Sequence, residues 1–181
     1  MWAVGFERIG GREVWRGRVA SVRVDHFRYD DGEEAAREIV THPGAVAVVA
    51  HDGERLYMVS QPREPVGEQS LLELPAGKLD EEGEEVLDTA RRELAEEIGK
   101  GAGNWKHIAT CYSSPGFSNE QMHIYLATDL YDEAAEAAEN ERIEIETFAL
   151  DRLDEAIDRC ADAKSLIGLL WLKAHPQELG A

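Results

Sequence analysis

The stretch GKLDEEGEEVLDTARRELAEEIGK, running from Gly77 to Lys100, decides the fold of this 181-residue sequence. Its second half places apolar residues at the three- and four-residue spacing of an amphipathic helix. These residues are Leu87, Ala90, Leu94 and Ile98. Gly99 follows at the position where a helix commonly ends. The pattern predicts a helix over residues 84–98 whose apolar face packs against another layer of structure.

Three glutamates crowd one side of the predicted helix. Glu93, Glu96 and Glu97 stand at positions i, i+3 and i+4, so their side chains are neighbours and their charges repel. One interpretation is a solvated face, since glutamate is a common surface residue of helices. The other is a cation site, because Mg²⁺ and Mn²⁺ prefer oxygen ligands and bind through carboxylates together with substrate phosphates. These residues alone leave both interpretations open.

The flanking sequence predicts a mixed sheet with helices packed on it. Short apolar runs bounded by turn residues predict strands, and Asp52-Gly53 predicts a hairpin turn. The predicted strands are one or two within 13–29, then 45–50, 55–61, 104–113, 122–128 and 142–149. Residues 30–40 predict a turn followed by a strand or a short helix. A second helical stretch, 152–174, is broken, with Asp162 as its second N-cap.

Composition limits the class of protein. With 43% hydrophobic residues and the length of one ordinary domain, the chain is expected to be globular. The net charge is −18, whereas nucleic acids and anionic membranes bind basic surfaces. Neither is therefore an expected partner. No apolar run approaches the roughly 20 residues that span a bilayer, and the N-terminus lacks a secretory signal. We therefore expect a cytoplasmic protein. Cys111 and Cys160 are too few for a disulfide framework and are not spaced as metal ligands, so we expect them to be buried apolar residues.

The opening stretch resembles the Nudix box. That pattern is a glycine, a spacer, a glutamate, seven residues, and then Arg-Glu-aliphatic-x-Glu-Glu-x-Gly followed by an aliphatic residue. The matching residues are Gly77, Glu84, Arg92, Glu93, Leu94, Glu96, Glu97 and Gly99. The spacer holds one residue more than the usual pattern, and Lys100 replaces the final aliphatic residue. These departures concern the loop and packing, and they move no helical carboxylate.

Four further segments narrow the resemblance to the ADP-ribose pyrophosphatase branch of the Nudix family. They are REIVTHPGAVAVVA (37–50), QPREPVGEQSLLELPAG (61–77), SSPGFSNE (113–120) and DAKSLIGLLW (162–171). The third places Pro115 about sixteen residues beyond the box, where this branch has a proline. The resemblance therefore covers most of the chain.

The resemblance implies a fold and an assembly. The expected fold is α/β, the Nudix fold, a mixed β-sheet sandwiched between helices with a small N-terminal antiparallel sheet. Residues 1–41 would be the N-terminal β segment, crossing to a partner subunit and forming a homodimer. Residues 42–181 would be the Nudix hydrolase domain.

The resemblance also implies a metal site built on the box. Glu93, Glu97 and the backbone carbonyl of Ala76 would bind the cation, which is Mg²⁺, with Mn²⁺ as the alternative. Glu96 would bind or orient the metal and its water, and Arg92 would hold the glutamates through charge-assisted hydrogen bonds. The supporting positions of the box are Gly77, Glu84 and Gly99.

A further acidic segment before the last core strand supplies the rest of the implied site. In the matching segment AENERIEI, Glu141 is the candidate for an additional metal ligand and Glu139 for the base that activates water. The two roles could be exchanged. Because the preceding residues are acidic throughout, a solvated acidic loop is the alternative.

Substrate contacts are expected from arginines and aromatic residues. Arg63, on the approach to the box, is the candidate for a phosphate contact, with an ordinary surface arginine as the alternative. Residues 1–30 carry six arginines against four carboxylates, a net charge of +2, and Arg28 is the candidate among them. Pro115, Gly116 and Phe117 would line the substrate. Phe27 and Tyr29 are further candidates for an adenine platform.

The expected function is metal-dependent hydrolysis of the diphosphate bond of ADP-ribose to AMP and ribose 5-phosphate. One alternative is a Nudix hydrolase for another nucleoside diphosphate compound, such as a nucleotide-sugar. A second, from a different class, is a module that senses ADP-ribose without cleaving it. Such modules usually lose box glutamates or carry a DNA-binding extension, whereas every box glutamate is present in this sequence.

Overall fold

A computed structural model of the chain describes residues 5–135 and 142–180. The strands in this part are β1 (Phe6–Arg16), β2 (Ser21–Tyr29), β3 (Glu34–Thr41), β4 (Ala45–His51), β5 (Arg55–Arg63), β6 (Glu68–Glu73), β7 (Ala76–Lys78), β8 (Lys100–Tyr112), β9 (Gln121–Asp132) and β10 (Glu144–Ala149). The α-helices are α1 (Val86–Ile98), α2 (Leu153–Arg159) and α3 (Ala163–Ala174). No helix within these residues is long and apolar enough to cross a lipid bilayer.

The described chain divides into two compact units. One comprises residues 5–44 and 112–121, and the other comprises residues 45–111 and 122–180. The loop after the box therefore belongs to the same unit as the N-terminal strands, a grouping that the sequence did not predict.

The first unit is a three-stranded antiparallel sheet in the order β1-β2-β3, as expected for the N-terminal segment. Strand β1 begins at Phe6, earlier than the sequence predicted, because a bulge absorbs the glycines that interrupt its alternation. Gly11 has a φ of 153°, and a Cβ there would lie 2.0 Å from the buried Asp25 carboxylate. Asp25 accepts hydrogen bonds from Arg8 Nε (2.8 Å) and Arg23 Nη2 (3.2 Å), which offset its burial.

The second unit is built on a seven-stranded mixed sheet. Its main path is β10-β5-β4-β9-β8, with β6 paired to β5 and β7 paired to β4. Strands β4 and β9 run parallel, whereas β4 pairs antiparallel with β5 and β7. The short strands β6 and β7 flank Pro75 and were not predicted. Strand β6 lacks a clear alternation of apolar and polar residues, and β7 has only three residues, with Gly77 at its centre.

Helices cover both faces of this sheet, which confirms the predicted sandwich. Alternate residues of the fully buried β4 point to opposite sides. One side packs α1 on the sheet through Val46, Val48, Ala90 and Leu94. The other side packs α2 and α3 through Ala47, Val49, Ala156, Leu169 and Leu172.

The predicted helices are confirmed with small corrections at their ends. Helix α1 begins at Val86 rather than at 84, so Glu84 lies in the loop before it. The broken stretch 152–174 forms two helices, and Asp162 is the N-cap of α3, accepting a hydrogen bond from the Ser165 N–H at 3.0 Å.

Asp52 stabilises the turn that joins β4 to β5. Its carboxylate accepts hydrogen bonds from the N–H groups of Glu54 (3.0 Å) and Arg55 (2.7 Å) and from the Tyr57 hydroxyl (2.8 Å). Burial alone would raise the pKa of Asp52, but these hydrogen bonds outweigh burial and lower its pKa to about 2.

We expect Asp52→Asn to lower the free energy of unfolding by about 1–2 kcal/mol at about pH 7. The folded pKa, about 2, lies below that of an unfolded aspartate, so the stabilisation is present above about pH 5 and disappears as the pH falls toward 2. Urea unfolding of both proteins across this pH range measures the difference. The exposed Asp158→Asn is the control, and a difference that does not change with pH would contradict the account.

Candidate metal centre

The glutamates of α1 do not form a solvated face. Glu97 is 7% exposed, and the side chains of Glu93 and Glu96 are 12% and 27% exposed. Leu94 and Ile98 pack against the sheet. Because the glutamates are their neighbours on the helix, the glutamates lie at the edge of the contact between α1 and the sheet. Three neighbouring carboxylates with this little exposure need positive charge beside them.

Two of these carboxylates lie against consecutive backbone positions at the start of β7. The Ala76 N–H donates a hydrogen bond to Glu97 Oε2 at 3.0 Å. A Cβ placed on Gly77 would lie 1.9 Å from both Cδ and Oε1 of Glu93, so any larger residue would collide with that carboxylate. The glycine at this position therefore lets the helix carboxylate approach the backbone.

Arg92 supplies positive charge to the cluster. Its Nε and Nη2 each donate to Glu84 at 3.1 Å, and its Nη1 donates to Glu93 (2.8 Å) and Glu96 (3.1 Å). The hydrogen bonds with Glu84 are the main reason that the pKa of Arg92 is raised and that of Glu84 is lowered. Thr89, which is fully buried, also donates its hydroxyl to Glu84 at 2.9 Å. One guanidinium thus spans three carboxylates and fixes their orientation.

The segment that carries Ala76 is held on its other side by a buried ion-pair network. Glu73 is 1% exposed and accepts from Arg63 Nε (2.6 Å) and Nη2 (2.8 Å) and from Lys164 Nζ (2.7 Å). Burial would raise the pKa of Glu73, but Arg63 and Lys164 outweigh burial and lower it. The Leu74 N–H donates to Ser165 Oγ at 2.7 Å.

This ion-pair network was not predicted from the sequence. Glu73 stands in the apolar run LLELP, and an acidic residue in such a run signals a buried charge that needs a partner. Its partner Lys164 lies 91 residues away, and no local pattern connects the two.

The donor set fits a hard divalent cation. Glu93 and Glu97 supply carboxylate oxygens beside Ala76, whose carbonyl is the third predicted ligand. Across residues 5–135 and 142–180, no three His, Cys, Asp or Glu side chains are grouped to hold a metal ion. Two carboxylates with a carbonyl suit a cation that keeps water and substrate phosphate as its remaining ligands, as Mg²⁺ usually does.

The remaining predicted residues of the box and its surroundings have definite places. Gly99 ends α1 with a φ of 67°, the left-handed conformation typical of a helix end. Arg63, the candidate for a phosphate contact, forms a two-hydrogen-bond pair with Glu73. Glu139 and Glu141 lie outside the described residues.

Four predicted substrate contacts lie in the N-terminal unit. Arg28 pairs with Glu34 (2.8 Å) on the surface of the small sheet. Pro115, Gly116 and Phe117 occupy the loop before β9, and the Phe117 carbonyl accepts from the Val40 N–H at 2.8 Å.

Comparisons with known proteins agree with this geometry. A family model for the NUDIX domain matches residues 40–167. The chain is 38% identical over 170 residues to an ADP-ribose pyrophosphatase of Bacillus subtilis, covering 91% of each protein. It is 40% identical over 141 residues to an ADP-ribose pyrophosphatase of Mycobacterium tuberculosis, covering 77% of this chain and 68% of that protein. It is also 39% identical over 166 residues to a methanol dehydrogenase activator of Bacillus methanolicus, covering 89% of each.

A solved structure has the same fold. It is described as an ADP compounds hydrolase and superimposes with a TM-score of 0.85, covering 97% of this chain and 96% of that one at 23% identity. At this identity the likeness establishes the fold.

We expect Gly77→Ala to weaken the binding of Mn²⁺ to the substrate-free protein by about tenfold or more, because the added methyl group displaces the Glu93 carboxylate. Titration followed by electron paramagnetic resonance measures the free ion. Gly10→Ala is the matched control, since a Cβ there meets no atom within 4 Å. If Gly77→Ala folds and its Mn²⁺ affinity is unchanged, Glu93 is not a ligand of the metal ion.

Proposed function

Because the chain belongs to the NUDIX family, we propose that it is a diphosphatase that hydrolyses ADP-ribose to AMP and ribose 5-phosphate. The observation that carries the proposal is the pair of low-exposure carboxylates, Glu93 and Glu97, packed against Ala76 and Gly77. The substrate is proposed from the two relatives named ADP-ribose pyrophosphatase, which are 38% and 40% identical to this chain.

The proposed cofactor is Mg²⁺, with Mn²⁺ as the alternative. Glu93, Glu97 and the Ala76 carbonyl would hold it, and Glu141 is the proposed additional ligand. When bound, the cation neutralises the diphosphate oxygens and lowers the pKa of a coordinated water. Oxygen-only donors support this choice of metal, because softer metals favour nitrogen and sulfur ligands.

The chain's own residues prepare the site for this chemistry. Arg92 fixes the carboxylates of Glu93 and Glu96 in one orientation, so no reorganisation is needed when substrate arrives. Glu96 would orient the attacking water, and Glu139 would take its proton, unless Glu141 has that role. The departing AMP or ribose 5-phosphate carries away the negative charge that develops on the bridging oxygen.

Recognition of the substrate is proposed to use arginine and aromatic side chains. Glu73 holds the guanidinium plane of Arg63 through two hydrogen bonds, which presents a pre-oriented cation to a phosphate. Phe117 is 57% exposed and offers an apolar surface to adenine. Pro115, Gly116 and Arg28 are the remaining proposed contacts.

We also propose that residues 1–41 form a homodimer, while residues 42–181 are the hydrolase domain. Strand β1 supports this proposal, because its large apolar side chains Phe6, Val14 and Trp15 are exposed in the single chain. The cytoplasm remains the proposed location, in keeping with a sequence whose two cysteines are too few for a disulfide framework.

Two alternatives to hydrolysis of ADP-ribose need to be considered. Another nucleoside diphosphate compound, such as a nucleotide-sugar, would need the same metal cluster. The relative named methanol dehydrogenase activator matches 89% of the chain, against 91% and 77% for the two relatives named for ADP-ribose, so a substrate panel must decide. A sensing module without catalysis is disfavoured, because Glu84, Glu93, Glu96 and Glu97 are all present.

The experiment that tests the proposal is hydrolysis of ADP-ribose with Mg²⁺, beside a panel of nucleotide-sugars and dinucleotides. We expect AMP release to be fastest from ADP-ribose, and Glu97→Gln to lower kcat by about 10²-fold or more, since a metal ligand is weakened. Glu85→Gln is the matched control, because Glu85 is exposed and makes no capping hydrogen bond.

Faster cleavage of another diphosphate would keep the reaction and change the substrate. Binding of ADP-ribose without cleavage of any compound would instead favour the sensing module.

For the dimer, we expect sedimentation to give twice the 20.1 kDa mass of the chain. Trp15→Glu should shift the equilibrium toward monomer, because it places a charge on an apolar surface. Val66→Glu, at an exposed apolar residue of the other unit, is the control. A wild-type monomer with full activity would contradict this proposal.

A further inference from the structure

Helix α3 lies on the face of the sheet opposite to α1, yet its first turn holds the segment that carries the metal-binding carbonyl. Three contacts converge on residues 73 and 74 from this helix. Lys164 Nζ donates to the Glu73 carboxylate at 2.7 Å, and Ser165 Oγ accepts from the Leu74 N–H at 2.7 Å. A Cβ on Gly168 would lie 2.7 Å from Leu74 Cδ1, so the helix approaches Leu74 as closely as its residues permit.

The first turn of α3 is itself rigid. Asp162 Oδ2 accepts hydrogen bonds from the Ser165 N–H (3.0 Å), the Ser165 hydroxyl (2.5 Å) and Lys164 Nζ (2.9 Å). The Ser165 hydroxyl donates its one proton to Asp162, which leaves its lone pairs to accept from Leu74. Since Ser165 is fully buried, water cannot replace either bond.

Only Pro75 separates this anchor from Ala76. The Pro75 ring fixes its own φ, and its carbonyl accepts from the Val48 N–H at 2.8 Å, so the connection has little freedom. The Ala76 N–H then donates to Glu97 at 3.0 Å. Leu74 is thereby tied to α3 on one side of the sheet, and Ala76 is tied to α1 on the other.

We infer that Lys164 and Ser165 are positioning residues for the metal centre. They act through Glu73 and Leu74 to set where the Ala76 carbonyl stands relative to Glu93 and Glu97. Loss of either anchor lets the backbone at Ala76 shift. The shift weakens metal binding, because the ligand oxygen atoms must be placed to within a few tenths of an ångström. This inference rests on the metal-binding role in the proposed function, but it does not depend on which diphosphate is the substrate.

The test is the affinity of the substrate-free protein for Mn²⁺, measured by electron paramagnetic resonance, together with circular dichroism to establish folding. Lys164→Met and Ser165→Ala are each expected to raise the Mn²⁺ dissociation constant by about tenfold, the size of effect typical of residues that orient metal ligands. Lys164→Arg retains the charge and the donors and is expected to restore binding to within about twofold.

Lys173→Met is the matched control. Lys173 lies on the same helix and pairs with the exposed Asp154, away from residues 73 and 74. The Mn²⁺ affinity of the Lys173→Met protein is therefore expected to stay within about twofold of the wild-type affinity. A purely structural role for Lys164 would lower the melting temperature and leave the affinity of the folded protein unchanged.

Folded Lys164→Met and Ser165→Ala proteins with wild-type Mn²⁺ affinity would overturn the inference, and so would a wild type that binds no Mn²⁺. If Lys164→Met does not fold, the milder Ser165→Ala decides. If ADP-ribose is not hydrolysed but both variants lose Mn²⁺ affinity, the proposed function fails and the inference stands.

Discussion

The contact between the Glu93 carboxylate and the backbone at Gly77 is the constraint on which the rest of the second unit depends. Any side chain at residue 77 would displace that carboxylate, because even a Cβ would lie 1.9 Å from it. The Ala76 N–H donates to Glu97 of the same helix, so two carboxylates of α1 lie close to the start of β7. The same closeness gathers carboxylates that repel one another, and Arg92 offsets part of that repulsion with hydrogen bonds to three of them. A divalent cation would offset the remainder, so the repulsion between these carboxylates and their affinity for a metal ion have the same cause.

A second feature follows from the position of the proposed metal-binding segment within the layers. Residues 73–77 lie between α1 on one face of the sheet and α3 on the other, and each helix supplies a polar group to them. Glu97 comes from α1, whereas Ser165 and Lys164 come from α3. Proteins commonly place functional groups on loops that a rigid scaffold supports. In this chain helices on both faces of the sheet form hydrogen bonds with one short segment. The packing of these helices therefore also determines the geometry of the candidate metal centre.

Much of the fold could be predicted from sequence because its signals are local. The helical spacing of α1, the buried run of β4 and the N-cap Asp162 each depend on residues within a few positions of one another. Strand β1 was predicted only in part, since Gly10 and Gly11 interrupt its alternation. Strands β6 and β7 were missed because neither shows the alternation that identifies strands. The box glutamates could be placed on one helical face. Their contact with Ala76 and Gly77 could not, because it depends on packing between elements. The ion pair of Glu73 and Lys164 could not be predicted either, since the residues near one of them in the sequence give no information about the other.

The central claim is that a divalent cation binds where α1 meets the start of β7. The most direct measurement is anomalous diffraction from crystals grown with Mn²⁺ and a non-hydrolysable ADP-ribose analogue whose bridging diphosphate oxygen is replaced by methylene. The account predicts an anomalous peak at about 2.0–2.3 Å from carboxylate oxygens of Glu93 and Glu97 and from the Ala76 carbonyl oxygen. A peak bound by other residues, or no peak where α1 meets the start of β7, would contradict it.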